Sequence, residues 1–294
     1  MFGNLDAGGA SQKYRAVEQA TAWYGVAEQC KVFKVSRSGY YAYLKRKAED
    51  KDHELKKVIQ ALYAKYDGKY GYRQLQLFLL QEHGLLINHK KVLRIMQELG
   101  LRSKIRRKHR NNYAPSVRER VAESLLQQHF QADAPNQKWV TDITQYSVAD
   151  TWLYLSAIKD LFNNEIIAYH MDLRNDTQLV LQTFEKAFET HKDVTGLIVH
   201  SDQRSQYTSI AYHDMLPQVG AQISMSRRGN CYDNASMESF FSHLKTEGLY
   251  LYDIRSVEEA QRRIEAYITF YNESRPQRKL QKMTPVEYRR HLVA

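Results

Sequence analysis

Apolar residues recur at helical spacing through the first hundred residues, then give way to strand-like runs separated by amphipathic segments. Val17, Ala20, Trp23 and Val26 predict a small helical unit over residues 14–50, with a second segment from Val26 to Phe33. Ser36 is placed to cap a third helix, Ser36-Arg-Ser-Gly-Tyr-Tyr-Ala-Tyr-Leu-Lys-Arg46. A helix is expected from His53 to Tyr66, then the turn cluster Asp67-Gly-Lys-Tyr-Gly71, then a helix from Tyr72 to His83 carrying Leu75, Phe78 and Leu79. Gly84 stops it. Asn88 caps His89 to Leu99, with Val92, Leu93 and Met96 on one face and Gly100 at the end. Arg118 to Phe130 reads as one more helix, and Ala134-Pro-Asn-Gln137 as a boundary.

From Lys138 the pattern changes. Trp139 to Val148, Trp152 to Asp160 and Glu165 to Leu173 read as three consecutive strands, an antiparallel meander. An amphipathic helix from Thr177 to His191 follows, then a strand from Leu197 to His200, a helix from about Ser209 to Leu216, and a short strand from Gln222 to Met225. The segment from Ala235 has Phe240, Phe241 and Leu244 on a helical face, Asp233 or Asn234 as its cap, and Gly248 as its expected stop. Ser256-Val-Glu-Glu259 and Thr284-Pro-Val-Glu287 are capping boxes that open two last helices, the first reaching about Tyr271. The fold class expected is multidomain: all-α helix-turn-helix units, then an α/β core whose element order resembles the ribonuclease-H-like fold, then a helical extension. Its segments are 1–50, 51–115 with a basic arm, a helical linker at 116–135, the core at 136–250, and 251–294.

Charge sharpens this division. The net charge is +10, yet residues 1–130 carry +13 and residues 131–294 carry −3. A basic N-terminal part suits a polyanion, and the remainder is free to gather carboxylates. Helix, short turn, helix occurs twice, and the second helix of such a pair can enter a major groove; for the first pair the bland alternative is a helical hairpin with an aromatic core face. Candidate DNA contacts are Arg37, Lys90, Lys91 and Arg94 on these helices, and Arg102, Lys104, Arg106, Arg107, Lys108 and Arg110 in the most basic stretch. Such a run supplies affinity without sequence information; alternatively it is a charged linker. Arg227 and Arg228 lie in a loop before the Ala235 helix, where an active-site loop could meet DNA.

Two cysteines, Cys30 and Cys231, far apart in sequence, argue against a disulfide framework, and no Cys/His cluster has zinc spacing. No apolar run can span a bilayer, and residues 1–14 lack a signal core, so a cytoplasmic protein is expected. No phosphate-cradling Gly-x-x-x-x-Gly-Lys-Ser/Thr occurs. The chemistry-bearing residues are instead Asp142 within the first strand, Asp202 at the end of a buried strand, and Glu238 on a helix, with Lys245 two turns further along the same face. Carboxylate oxygens suit hard divalent cations, so the three acids are read as one metal site. Taken singly, each would be an ordinary surface group or cap.

Three motifs carry a family resemblance: Pro135-Asn-Gln-Lys-Trp-Val-Thr-Asp142-Ile-Thr, His200-Ser-Asp202-Gln-Arg-Ser-Gln-Tyr, and Asp233-Asn-Ala-Ser-Met-Glu238-Ser-Phe-Phe-Ser-His-Leu-Lys245, with 35 residues between Asp202 and Glu238. The chain resembles the second-frame product of IS-three family insertion-sequence transposases, within the DDE superfamily that includes retroviral integrases. The resemblance runs from about Tyr14 to the end. It implies metal-dependent strand cleavage freeing a 3′-hydroxyl, then attack by that hydroxyl on another phosphodiester. Asp142, Asp202 and Glu238 would hold two magnesium ions, with manganese able to substitute, and Lys245 would position DNA. It implies as partners the element's terminal repeats and target DNA, at least a dimer on DNA, and an upstream-frame helix-turn-helix and leucine-zipper product; this chain has no sustained heptads. Two positions depart from the family pattern: Arg204 stands where glycine is usual, and Gln277 where histidine is usual. Arg204 supports a second reading, a catalytically impaired or repurposed DNA-binding protein that occupies element ends; the intact acids oppose it. A ribonuclease of RNA/DNA hybrids shares fold and metals but leaves the helix-turn-helix-like units unexplained.

Overall fold

The computed structural model describes residues 9–21, 23–48, 51–105, 131–226 and 234–293. The chain divides into two compact units, Met1–Ala64 and Lys65–Ala294, a division that falls inside the 51–115 segment. In the first unit, α1 (Ala10–Ala20), α2 (Val26–Val32) and α3 (Arg37–Ala48) precede α4 (His53–Lys65). Val17, Cys30, Phe33 and Tyr40 form a small core shared by α1 to α3. Ser36 caps α3 as expected, its hydroxyl accepting the backbone N–H of Gly39 at 3.1 Å. Trp23, expected on the apolar face, is 84% exposed because it lies in the turn after α1, past the last helical residue.

The larger unit opens with α5 (Tyr72–His83) and α6 (His89–Glu98). Gly84 closes α5 in the left-handed region, φ 65°, where a side chain would be strained. Asn88 caps α6 by accepting the N–H of Lys90 at 2.9 Å. One face assignment changes: Ile95, with Val92 and Met96, is buried, and Leu93 is only half-buried. The spacing 92, 95, 96 follows the 3.6-residue period more closely than 92, 93, 96. The Arg118–Phe130 helix lies outside the described residues.

A five-stranded sheet follows, in spatial order β3-β2-β1-β4-β5. Its strands are β1 (Lys138–Val148), β2 (Thr151–Asp160), β3 (Ile166–Asp172), β4 (Ile198–Ser201) and β5 (Gln222–Met225). β1, β2 and β3 are antiparallel, and β4 and β5 run parallel to β1. Strand alternation sends odd and even residues of β1 to opposite faces. Trp139 and Ile143 join Leu179, Val180 and Phe184 of α7 (Thr177–Thr190) and Tyr212 and Leu216 of α8 (Ile210–Gln218). Val140 and Val148 join Met237, Phe240 and Phe241 of α9 (Ala235–His243) and Ile264, Tyr267 and Ile268 of α10 (Val257–Glu273) on the other face. Because both faces are covered, β1 is buried continuously from Trp139 to Ile143. Asp142, an even residue, therefore sits on the side of the sheet where α9 packs.

The stop expected at Gly248 is not there. α9 runs on through π-helical turns, Leu244–Leu249, and Gly248 is buried inside them. A Cβ at Gly248 would stand 3.3 Å from the ring of Tyr267, so the glycine admits an aromatic neighbour rather than ending a helix. Tyr267 is buried and its hydroxyl is tied to Glu247 at 2.9 Å, which leaves the ring little room to yield. Gly248→Ala is expected to lower stability by about 1 kcal/mol, overpacking outweighing the gain in helix propensity. An unchanged or raised urea midpoint would show that the ring moves. The last helix, α11 (Pro285–Val293), opens with a complete capping box: Thr284 N–H donates to Glu287 Oε2 at 2.8 Å and Glu287 N–H to Thr284 Oγ1 at 3.2 Å.

Candidate active site

Asp142 reaches the site from the middle of β1 and Asp202 from the residue after β4, the strand paired in parallel with β1. Both are held by local backbone. Asp142 Oδ1 accepts the N–H of Ile143 at 2.7 Å, and Asp202 Oδ1 accepts the N–H of Arg204 at 3.1 Å. Asp142 is only 8% exposed. The guanidinium of Arg204 lies between the two acids: Nε is 3.0 Å from Asp202 Oδ2, one terminal nitrogen is 3.3 Å from Asp142 Oδ1, and the same nitrogen donates to the carbonyl of Ile143 at 2.8 Å. Two carboxylates thus share one cation.

Glu238 projects from the first turn of α9 and is exposed. Burial pushes the Asp142 carboxyl up to about 7; the Arg204 charge and the Ile143 N–H oppose this, and the charges of Asp202 and Glu238 add to it. Asp202 is also raised, by burial, against the pull of Arg204. Lys245 is half-buried in the π-helical turns, its pKa lowered by burial while the charge of Asp142 holds it up. The charges of Asp202 and Glu238 thus bear on Asp142, and the charge of Asp142 on Lys245. Among the described residues, however, no three His, Cys, Asp or Glu side chains gather closely enough to ligate one ion.

Several residues beyond the acids fix this geometry. Asn234 does not cap α9 through its side chain; its Nδ2 donates to the carbonyl of Thr141 at 3.1 Å, tying the start of α9 to β1 beside Asp142. Lys159 of β2 donates to the carbonyl of Ser236 at 3.2 Å. His200 is buried between the hydroxyls of Ser224, 2.9 Å from Nδ1, and Ser226, 3.1 Å from Nε2. Thr141 and Tyr207 share a buried hydroxyl contact at 3.2 Å on the opposite face of β1. Of these, Asn234 was legible only as a cap candidate, and Arg204 beside the acids only as a bulky cation in place of glycine.

Of the candidate DNA contacts, Lys90 and Arg94 are exposed on α6, and Lys91 is half-buried there. Arg94 also pairs with Glu98 one turn on, at 2.5 Å. Arg102 and Lys104 are exposed in the loop after α6, and Arg37 is exposed at the start of α3 in the smaller unit. Arg106, Arg107, Lys108, Arg110, Arg227 and Arg228, with Asp233 and Cys231, lie outside the described residues.

Chemically the donor set fits a hard divalent cation. It offers carboxylate oxygens only, on rigid backbone, with a buried acid whose ionised form needs a nearby positive charge.

An antiparallel meander extended by two parallel strands, with acids on the first strand, after the fourth and on a late helix, defines a ribonuclease-H-like core of the integrase class. Residues 132–231 match a family described as Integrase core domain, residues 219–285 match a second family of that description, and residues 49–109 match an HTH-like domain. The "Putative transposase InsK for insertion sequence element IS150" of Escherichia coli (strain K12) is 38% identical over 276 residues, which cover 94% of this chain and 97% of that protein. The "Transposase for insertion sequence element IS904" of Lactococcus lactis subsp. lactis (strain IL1403) is 37% identical, covering 81% and 94% respectively. The "Transposase InsF for insertion sequence IS3A" of Escherichia coli (strain K12) is 34% identical, covering 81% and 84%. The chain belongs to the IS-three family of insertion-sequence transposases. Among the described residues no helix is long and apolar enough to cross a membrane.

Proposed function

We propose that this transposase cuts DNA at the ends of its insertion sequence and joins the freed 3′-hydroxyl to target DNA, with Asp142, Asp202 and Glu238 as metal ligands. The observation that carries the reading is the convergence of Asp142 and Asp202 on one cation, on the face of the sheet where α9 brings Glu238. Paired magnesium ions, or manganese in their place, would activate the attacking water or hydroxyl and stabilise the leaving oxygen.

The chain's own residues prepare that chemistry. Asp142 and Asp202 are locked by backbone N–H groups, so their oxygens need little reorganisation. Asn234 and Lys159 hold the start of α9, which fixes where Glu238 enters. Lys245, half-buried, its pKa lowered by burial against the pull of Asp142, would grip a backbone phosphate beside the acids. Lys90, Lys91, Arg94, Arg102 and Lys104 would neutralise phosphates further out, and Arg37 with the smaller unit would add a second grip. Synapsis of two ends calls for at least a dimer, and an upstream-frame partner would supply further end recognition. The segments 1–50, 51–115, 116–135, 136–250 and 251–294 are proposed as functional domains of a cytoplasmic, nucleoid-associated protein.

The test is strand cleavage and transfer on labelled duplexes carrying the element's ends, with magnesium or manganese and with chelator. Cut ends bearing a 3′-hydroxyl and joined products, both lost on chelation, are expected. End binding without cutting would favour the second reading, a non-catalytic occupant of the ends, for which Arg204 between the acids is the specific support. Cleavage of RNA/DNA hybrids of arbitrary sequence would sink both.

A further inference from the structure

Arg204 is not merely a bulky neighbour of the acids. Its guanidinium takes up Asp142 Oδ1 and Asp202 Oδ2 at 3.3 and 3.0 Å, and it is anchored by the carbonyl of Ile143 at 2.8 Å. Its position is set from below as well, because its own backbone N–H is bound by the other oxygen of Asp202 at 3.1 Å. A guanidinium is planar, presents donors in a fixed fork and cannot lose its charge in a protein. It is therefore a permanent counter-charge, seated on the oxygens that a divalent ion would use. With its side chain 46% exposed, against 12% for Asp142 and 28% for Asp202, the arginine has a path out toward solvent.

From this geometry we infer that Arg204 is a resident counter-cation that competes with divalent metal for Asp142 and Asp202, so that metal enters only as the guanidinium leaves. The inference rests on the metal-site reading above and adds a threshold to it. The wild-type chain binds metal weakly and gains less stability from it than a chain without the guanidinium, since Arg204 already offsets part of the cost of the two acids. A glycine at this position would give the opposite behaviour: tighter metal binding, and a fold that depends on metal to quench the repulsion between the acids.

The experiment is a titration of the full chain with manganese, followed by the loss of the free-ion paramagnetic resonance signal, on wild type, Arg204→Gly, Arg204→Gln and Arg204→Lys. Arg204→Gly and Arg204→Gln are expected to bind at least about tenfold more tightly than wild type, the loss of a charge-assisted bidentate competitor. Arg204→Lys, which keeps charge but not the fork, should fall between. Adding Asp202→Asn to Arg204→Gly should remove the gain. Thermal melts give a second readout, the rise in Tm on adding manganese being larger in Arg204→Gly and Arg204→Gln than in wild type. Equal affinity and equal Tm shifts in all four proteins, still abolished by Asp202→Asn, would overturn the competition and leave the metal site standing. Binding absent from every protein, or indifferent to Asp202→Asn, would overturn the metal-site reading and the competition with it. Should Arg204→Gly fail to fold, Arg204→Gln and Arg204→Lys carry the comparison.

Discussion

Asp142→Asn and Glu238→Gln should each lower strand transfer by at least about a thousandfold, because metal-ion stabilisation of the reacting oxygens is worth several kcal/mol, yet they should move stability differently. Glu238 is exposed on the first turn of α9, and its loss should change stability by no more than about 0.5 kcal/mol. Asp142 is another matter. Burial lifts its carboxyl from 3.8 to about 7, so its contribution favours the fold below pH 3.8 and is lost as the pH rises through 7. In chelator at pH 8 the ionised side chain then costs on the order of 4 kcal/mol relative to a neutral one. Asparagine keeps the shape and removes the charge. Asp142→Asn is therefore expected to melt above wild type at pH 8, with the advantage shrinking toward pH 5. Strand transfer surviving in either variant would refute the assignment of ligands, and an Asp142→Asn protein less stable than wild type at pH 8 would refute the account of its burial.

Glu247→Gln is expected to destabilise the larger unit by about 3 to 5 kcal/mol, the usual cost of removing one partner of a buried ion pair. The Glu247 carboxylate accepts from Tyr70 at 3.0 Å, from Tyr267 at 2.9 Å, and from Arg275 at 2.9 and 2.7 Å, with His243 at 3.1 Å. Burial alone would raise its pKa, but the charge of Arg275 and the hydrogen bonds of His243 and Arg275 outweigh that and hold it at about 2. A depressed pKa gives stability that is present above the ordinary value of 4.5 and is lost as the pH falls toward 2. Wild type should thus weaken in that acid window, and Glu247→Gln should lack this component of the pH dependence. Urea unfolding of the full chain between pH 3 and pH 7 checks both. Replacing Arg275 by methionine as well should recover much of the loss, since the uncompensated buried charge goes with it. A variant as stable as wild type would mean that the network is dispensable.

What the sequence disclosed depended on how local its cause was. The β-branched and aromatic run of β1, the caps at Ser36, Asn88 and Thr284, and the stop at Gly84 arise within a few residues, and each was readable as written. The acids were recognisable through their motifs. Gly248 misled because its reason lies in Tyr267, nineteen positions on and on another helix; a glycine near a helix end looks the same whether it stops the helix or makes room for a ring. Arg204 was visible as a departure, but its direction was not. Only the pairing of β4 beside β1 brings its loop against Asp142, and no spacing in the chain encodes that reach. The Glu247 network was beyond reading, since Tyr70 lies 177 positions away.

That last contact limits how far the protein is modular. Tyr66 and Phe78 stack against each other and approach Phe270 of α10, while Gln74 donates to the carbonyl of Pro276 at 3.1 Å. The stretch holding Asp142, Asp202 and Glu238 is therefore no interchangeable cassette. A fragment cut at residue 131 would bare an aromatic face and leave Glu247 short of a hydroxyl. Shuffling among such elements would have to carry α5 along with the core it leans on.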